Sequence, residues 1–326
     1  MILIRLRIIL MLSPLTLTAA RATAVLVATA LLAGCGAVTA DEGAEGREVV
    51  ASFYPLAWVT EQVAGDDWTV TNLTSPGGEP HDLELSIQAT ASLSDADLVV
   101  YLDGFQPAVD DAIDTTAEGA TLEAAAVVGL QPIADHSEEG HAEDDHGDEQ
   151  EHDHGDLDPH FWHDPARMAM LAEAVGEELA TLDEANADRY RSAAAELADD
   201  LAALDGDYEE GLADCERDTV VVSHDAFGYL AKYDLQLEPI AGLSPDAEPT
   251  PAALAELSDL IGDKGLTTVF SERLASPTMA VALAADLDVS TGVLDPLEGL
   301  TDETADEDYL SLMRENLTAL QEANGC

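Results

Sequence analysis

Short apolar runs and longer stretches with three- and four-residue apolar spacing follow one another along the chain. This is the pattern of strands alternating with amphipathic helices. In the first half it predicts strands at 48–53, 68–73 and 97–102, with helices at 55–63, 87–93 and 106–114. Asp164 followed by Pro165 is a helix start, an N-cap acceptor and then proline at the first helical position, opening a helix to about residue 179. From Asn186 the stripe Tyr190, Ala194, Leu197, Leu201, Leu204, Tyr208 and Leu212 predicts a longer helix. At ~1.5 Å per residue it approaches about 40 Å, enough to join two lobes as a stiff rod. The second half repeats the alternation, with strands at 219–222, 235–240, 266–270 and 289–294 and helices at 226–232, 249–261, 277–285 and 309–320.

The fold class is therefore α/β: two lobes, each a mostly parallel sheet covered by helices, joined by a long rigid helix. The expected division is an N-terminal lobe at 48–185, a linker helix at 186–214 and a C-terminal lobe at 215–326. In such sheets ligands bind beyond the carboxyl ends of the strands.

Charge narrows the partners. Against 67 acidic residues stand 12 basic ones, a formal net charge of −55. Nucleic acid and anionic membrane surfaces would repel this chain, and divalent cations would be drawn to it. A solvated acidic surface, as in a salt-loving organism, is a simpler explanation of the balance than a charge tuned for function, and the two are compatible.

Arg5, Arg7 and Arg21 precede a short apolar core at 24–33, and no acid occurs before Asp41. That core is too short to span a bilayer and reads as an export signal, residues 1–34. Leu32-Ala33-Gly34-Cys35 resembles a bacterial lipobox, which implies cleavage before Cys35 and its lipidation. A plain secretory signal cut after Ala40 is the alternative, and translation starting at Met11 would give a leader of more usual length. Residues 35–47 read as a flexible tether. The expected location is the outer face of the bacterial cytoplasmic membrane, the lipid being the only contact with the bilayer. For an exported chain, Cys215 and Cys326 are expected to pair. Closing a loop near 100 residues is worth about 4–5 kcal/mol in the chain-entropy model.

Residues 135–158 are low-complexity and acidic, and hold His136, His141, His146, His152 and His154 with no Lys or Arg. The composition suits an auxiliary, low-affinity metal-gathering loop within the first lobe. Four candidates in ordered contexts then stand beyond strand ends: His81, His160, His224 and Asp295. Three imidazoles and one carboxylate would complete a tetrahedral zinc site with no open position, which favours holding the metal over catalysis with it.

Four motifs carry a family resemblance: Gly78-Glu79-Pro80-His81-Asp82-Leu83-Glu84, Asp158-Pro159-His160-Phe161-Trp162-His163-Asp164-Pro165, Ser223-His224-Asp225-Ala226-Phe227-Gly228-Tyr229-Leu230 and Leu294-Asp295-Pro296-Leu297. Together they resemble the zinc-binding solute-binding proteins of ABC importers (ZnuA-type, cluster A-I). The resemblance covers residues 48–326, and the His-rich insertion is similar to that family's loop. It implies an inter-lobe metal site with His81, His160 and His224 as ligands, and Asp295 where relatives place a carboxylate or, in some, a water. Manganese-type relatives place a glutamate where His224 stands, so the imidazole favours zinc. His163 replaces a usually apolar residue. An outward-facing or supporting role is expected of it, and service as an alternative ligand is the other option. Glu79 and Glu272 are expected to accept hydrogen bonds that orient imidazoles.

The expected function is capture of Zn2+ outside the membrane and delivery to an ABC permease and its ATPase, by a monomer with no catalytic residues. The rival readings are a manganese or iron carrier of the same fold, a metal-binding adhesin or buffer, and a zinc hydrolase. The last would need an open coordination position, and the chain carries no H-E-x-x-H, G-x-S-x-G or P-loop motif.

Overall fold

The computed structural model describes residues 46–133 and 157–326. The export segment, Cys35 and the histidines at 136, 141, 146, 152 and 154 lie outside the described residues. In the first half, β1 (Glu48–Ala51) leads into α1 (Tyr54–Ala64), β2 (Thr69–Asn72), α2 (Ile87–Asp95), β3 (Leu98–Tyr101), α3 (Pro107–Thr116), β4 (Ala120–Glu123) and the short α4 (Ala124–Val128). A two-residue ladder, β5 (Gln131–Pro132) antiparallel to β6 (Leu157–Asp158), follows. Helices α5 (Pro165–Leu182) and α6 (Ala187–Leu212) come next. The second half holds β7 (Thr219–Val222), β8 (Gln236–Pro239), α7 (Pro251–Lys264), β9 (Thr268–Ser271), α8 (Thr278–Leu287), β10 (Ser290–Val293) and α9 (Tyr309–Asn324).

The two main sheets share one winding. The first has the order β2-β1-β3-β4 and the second β10-β9-β7-β8, with every pair parallel. Numbered within each half, both read 2-1-3-4. The chain therefore leaves the central pair toward opposite sheet edges, β1/β3 in one half and β7/β9 in the other, which opens a crevice at the carboxyl ends of those strands. Central strands are buried on both faces, hence the apolar runs Val49-Val50-Ala51 and Val220-Val221-Val222.

The short α4 and the β5/β6 ladder were not predicted, and two further elements differ from expectation for a physical reason. Strand β4 was not predicted, because as an edge strand it buries only Leu122 and shows no apolar run. The helix expected at 226–232 is instead a run of 3-10 turns, Gly228–Tyr233. Here the chain presses against β6: a Cβ on Gly228 would lie 2.6 Å from Asp158 Oδ2. The Tyr229 hydroxyl also donates to the Asp158 carbonyl at 2.9 Å.

Helix α6 has 26 residues, about 39 Å at ~1.5 Å each, and buries the seven predicted stripe residues. It packs closely on α5, where a Cβ on Gly176 would fall 2.8 Å from that of Ala194. Its Tyr208 hydroxyl donates to Met313 O of α9 at 2.7 Å. One apolar core runs from Val49 and Phe53 through Trp162, Leu201 and Tyr208 to Leu294 and Tyr309, so the two halves share it. The disulfide Cys215–Cys326 ties the end of α9 to the segment after α6. No helix among the described residues is long and apolar enough to cross a membrane.

Candidate metal centre

Each functional side chain arrives on a loop that its own polar groups hold. The loop after β2 is pinned where the Thr74 hydroxyl donates to Ser52 O at 2.9 Å and the buried Gln106 amide donates to Pro80 O at 3.1 Å. That fixes the residue before His81. His160 follows β6, and His224 follows β7 directly. The turn after β10 brings a carboxylate, Glu298, which sequence reasoning did not single out.

The Nε2 atoms of His81, His160 and His224 stand 3.3, 3.5 and 3.4 Å from one atom, Glu298 Oε1. All four ligand-capable atoms lie within 4.8 Å of one another. These separations are long for N–H···O hydrogen bonds, which cluster near 2.9–3.0 Å. They match the edge of a tetrahedron: with metal–ligand bonds of about 2.0–2.1 Å, neighbouring ligand atoms are about 3.3 Å apart. Accordingly the buried Nε2 atoms of His160 and His224 have no hydrogen-bond partner.

The opposite ring nitrogens are satisfied. His160 Nδ1 meets Asp158 Oδ1 at 2.8 Å, and the same oxygen accepts from the His160 backbone N–H at 2.9 Å. His224 Nδ1 meets Glu272 Oε1 at 2.7 Å, which also accepts from the His224 N–H at 3.2 Å. A carboxylate takes a proton-bearing nitrogen, so each ring offers its Nε2 lone pair inward when neutral. Burial disfavours the charged form of both rings. For His224 this is outweighed by the Glu272 hydrogen bond and the adjacent Glu298 charge, and its pKa is raised to about 10. His160 is raised for the same reasons by Asp158 and Glu298. Burial also opposes ionised Glu298, yet the three imidazoles hold its carboxyl well below the usual range. Without metal, a proton held by His224 would place positive charge beside Glu298.

His160 and His224 are fully enclosed, whereas the His81 side chain keeps 14% of its surface open to solvent. Beside it opens a cleft of about 480 Å3, lined by His81, Asp103, Phe105, Glu123, Leu157 and Leu243 among others.

Asp295, expected as the carboxylate ligand, is occupied elsewhere. Its Oδ2 accepts from Arg273 Nε at 2.9 Å and its Oδ1 from the Leu297 N–H at 2.8 Å. Leu297 then takes a left-handed conformation, φ 56°, which turns the chain back and carries Glu298 to the imidazoles. The motif read from the sequence stopped one residue short of the side chain that joins the cluster.

The family model for zinc-uptake complex component A, described as periplasmic, matches residues 49–323. The chain belongs to this ZnuA family. The zinc-binding lipoprotein AdcA of Streptococcus pneumoniae is 37% identical over 287 residues, 86% of this chain and 56% of AdcA. The chain thus spans little more than half the length of that relative. The high-affinity zinc uptake system protein ZnuA of Bacillus subtilis is 35% identical over 301 residues, 90% of this chain and 93% of that protein. Among solved structures, Zn(II)-bound AdcA of S. pneumoniae has a TM-score of 0.71 at 33% identity, over 86% of this chain and 58% of AdcA. The laminin-binding protein Lmb of Streptococcus agalactiae, described as a bifunctional protein with adhesin and metal transporting activity, has a TM-score of 0.74 at 29% identity, over 85% of this chain and 99% of Lmb.

Two other expectations need correction in this ZnuA-family chain. His163 does not face outward: it is fully buried, with its ring 4.8 Å from that of Phe227 and 6.1 Å from that of Trp162, and it is not in the ligand cluster. Burial and the neighbouring His160 push its pKa down to about 3. Glu79 does not orient an imidazole; it accepts from the backbone N–H of His81 at 2.9 Å. Glu272 does take the orienting role, and Asp158 takes the equivalent one for His160. The signal for Asp158 was its place two residues before a histidine, close enough to bond both that residue's N–H and its ring.

Proposed function

We propose that this chain captures one Zn2+ through His81, His160, His224 and Glu298 and hands it to the permease and ATPase of an ABC importer. The observation that carries the reading is the set of 3.3, 3.5 and 3.4 Å separations between Glu298 Oε1 and three Nε2 atoms, close to the length of the three edges that meet at one corner of a zinc tetrahedron. Membership of the zinc-uptake family supports it. Three imidazoles with one carboxylate favour zinc over Mn2+, which prefers an oxygen-rich set. Four protein ligands leave no open position for a reacting water, so the chain acts as a carrier and not as a hydrolase.

In the same reading, lipidation of Cys35 anchors a monomer to the outer face of the cytoplasmic membrane. The loop histidines at 136, 141, 146, 152 and 154 gather zinc weakly before transfer. The test is calorimetry on the metal-stripped chain from residue 36 onward, titrated with Zn2+ alone and then with excess Mn2+ present. One tight zinc event that manganese does not displace is expected. Tight manganese binding, or zinc binding that disappears when residues 137–155 are deleted, would overturn the proposal.

A further inference from the structure

Glu298 reaches the imidazoles only because the turn before it is held in an uncommon shape. Leu297 has φ 56°, a region that side-chain-bearing residues seldom adopt and hold only where surroundings over-determine it. The surroundings are specific. Asn316 brackets the Asp295 backbone, with its Oδ1 accepting from Asp295 N–H at 2.8 Å and its Nδ2 donating to Asp295 O at 2.7 Å. The Trp162 indole donates to Pro296 O at 2.7 Å. The Asp295 carboxylate closes the turn on Leu297 N–H.

That carboxylate is almost wholly buried, and a buried charge needs a partner. Arg273 is the cation that meets it, through Nε at 2.9 Å. Its other arm donates from Nη2 to Glu315 of α9 at 3.0 Å, with Glu303 at 3.9 Å from Nη1, so the guanidinium is braced from both sides. Arg273 also follows Glu272 directly. Two consecutive residues after β9 thus serve the two ligands of the second half, Glu272 through His224 Nδ1 and Arg273 through Asp295.

We infer that Arg273 is a positioning residue for the metal centre: by clamping Asp295 it fixes the Asp295–Leu297 turn and so sets the Glu298 carboxylate against the three imidazoles. The inference rests on the zinc-carrier reading. It assigns Asp295 a task other than ligation, as the link between an arginine outside the site and the carboxylate inside it. It also makes Arg273 a determinant of metal affinity although it touches no ligand.

The test is zinc calorimetry with Co2+ absorption spectra on Arg273→Met, Arg273→Lys, Asp295→Asn and the Arg273→Met/Asp295→Asn pair, each in the chain from residue 36 onward. Loss of an outer hydrogen-bond partner typically costs 10–100-fold in metal affinity. Arg273→Met is expected to lose about that much and to shift the Co2+ ligand-field bands, because the carboxylate geometry changes. Arg273→Lys, which keeps the charge without the fork, should recover part of both. In the double variant, Asp295→Asn should add less than about twofold, since the two residues act as one unit.

Wild-type zinc affinity and unchanged Co2+ bands in Arg273→Met, with only thermal stability reduced, would overturn the inference while leaving the zinc-carrier reading intact. If Arg273→Met does not fold, Asp295→Asn carries the same test, and unchanged zinc binding there overturns the inference. Absence of zinc binding in the unsubstituted chain overturns the carrier reading and this inference with it.

Discussion

The indole N–H of Trp162, two residues after His160, donates to the carbonyl of Pro296, two residues before Glu298, at 2.7 Å. One hydrogen bond thus joins the segment carrying a first-half imidazole to the turn carrying the second-half carboxylate. The same residue's carbonyl accepts from the Tyr309 hydroxyl at 2.6 Å, and Tyr309 stacks on Trp58 with centroids 4.7 Å apart. The two halves therefore meet at the site through a fixed, largely apolar seam.

Trp162→Phe should cost about 1–3 kcal/mol in urea unfolding of the metal-free chain, because it strands the buried Pro296 carbonyl. It should also weaken zinc binding, since His160 and Glu298 lose a common reference. A variant that loses stability but keeps wild-type zinc affinity would show that the seam supports the fold alone.

Glu298→Gln removes the one negative charge facing three imidazoles. It should cost more zinc affinity than the ~10–100-fold typical of an outer partner, and His224→Ala should be comparably severe. Calorimetric titration of both variants checks this. Zinc affinity within about threefold of wild type for Glu298→Gln would remove it from the ligand set.

How much of this centre was legible in the sequence can be judged residue by residue. His81, His160 and His224 stand in motifs beyond strand ends, where α/β folds put ligands, and the structure brings them together. The α6 stripe was legible because helical periodicity marks one buried face. Glu298 was not, because its placement depends on the left-handed Leu297 and on Arg273, Asn316 and Trp162, all distant in sequence. Periodicity has nothing to say about such a turn. Asp295 was the more conspicuous acid, and a part-buried arginine contact is what diverts it. Strand β4 was hidden for a similar reason, since an edge strand needs no apolar run.

Zinc binding should release protons. With His224 raised to about 10, the metal-free site is expected to carry a bound proton on that imidazole through neutral pH, and His160 is shifted in the same direction. Zn2+ needs the neutral lone pairs, so it competes with that proton, and affinity should rise as pH rises toward the His224 value and fall as pH drops. Glu298, held well below its usual range, contributes none. Calorimetry at pH 7 in two buffers of different ionisation enthalpy should give at least one proton released per zinc. A value of zero would contradict the protonated metal-free site.

His163 is expected to contribute an acid-sensitive share of stability from inside the core. Neither ring nitrogen makes a hydrogen bond of good geometry, the approach to the Pro296 carbonyl being a weak one, and burial together with nearby His160 lowers its pKa to about 3. In the unfolded chain a histidine titrates near 6.5. A folded pKa below the unfolded one means that the contribution is harmless above about pH 6.5. Stability is then lost as pH falls toward 3, because only the unfolded chain takes up the proton. The loss runs at about 1.4 kcal/mol per pH unit. His163→Leu removes the titrating group while keeping an apolar side chain against Phe227 and Trp162. Compared with wild type, the metal-free variant should therefore gain about 2 kcal/mol in relative unfolding free energy between pH 6.5 and pH 5. Denaturant melts at the two pH values measure that difference. A pH-independent difference would mean that His163 is protonated, or solvated, in the folded chain.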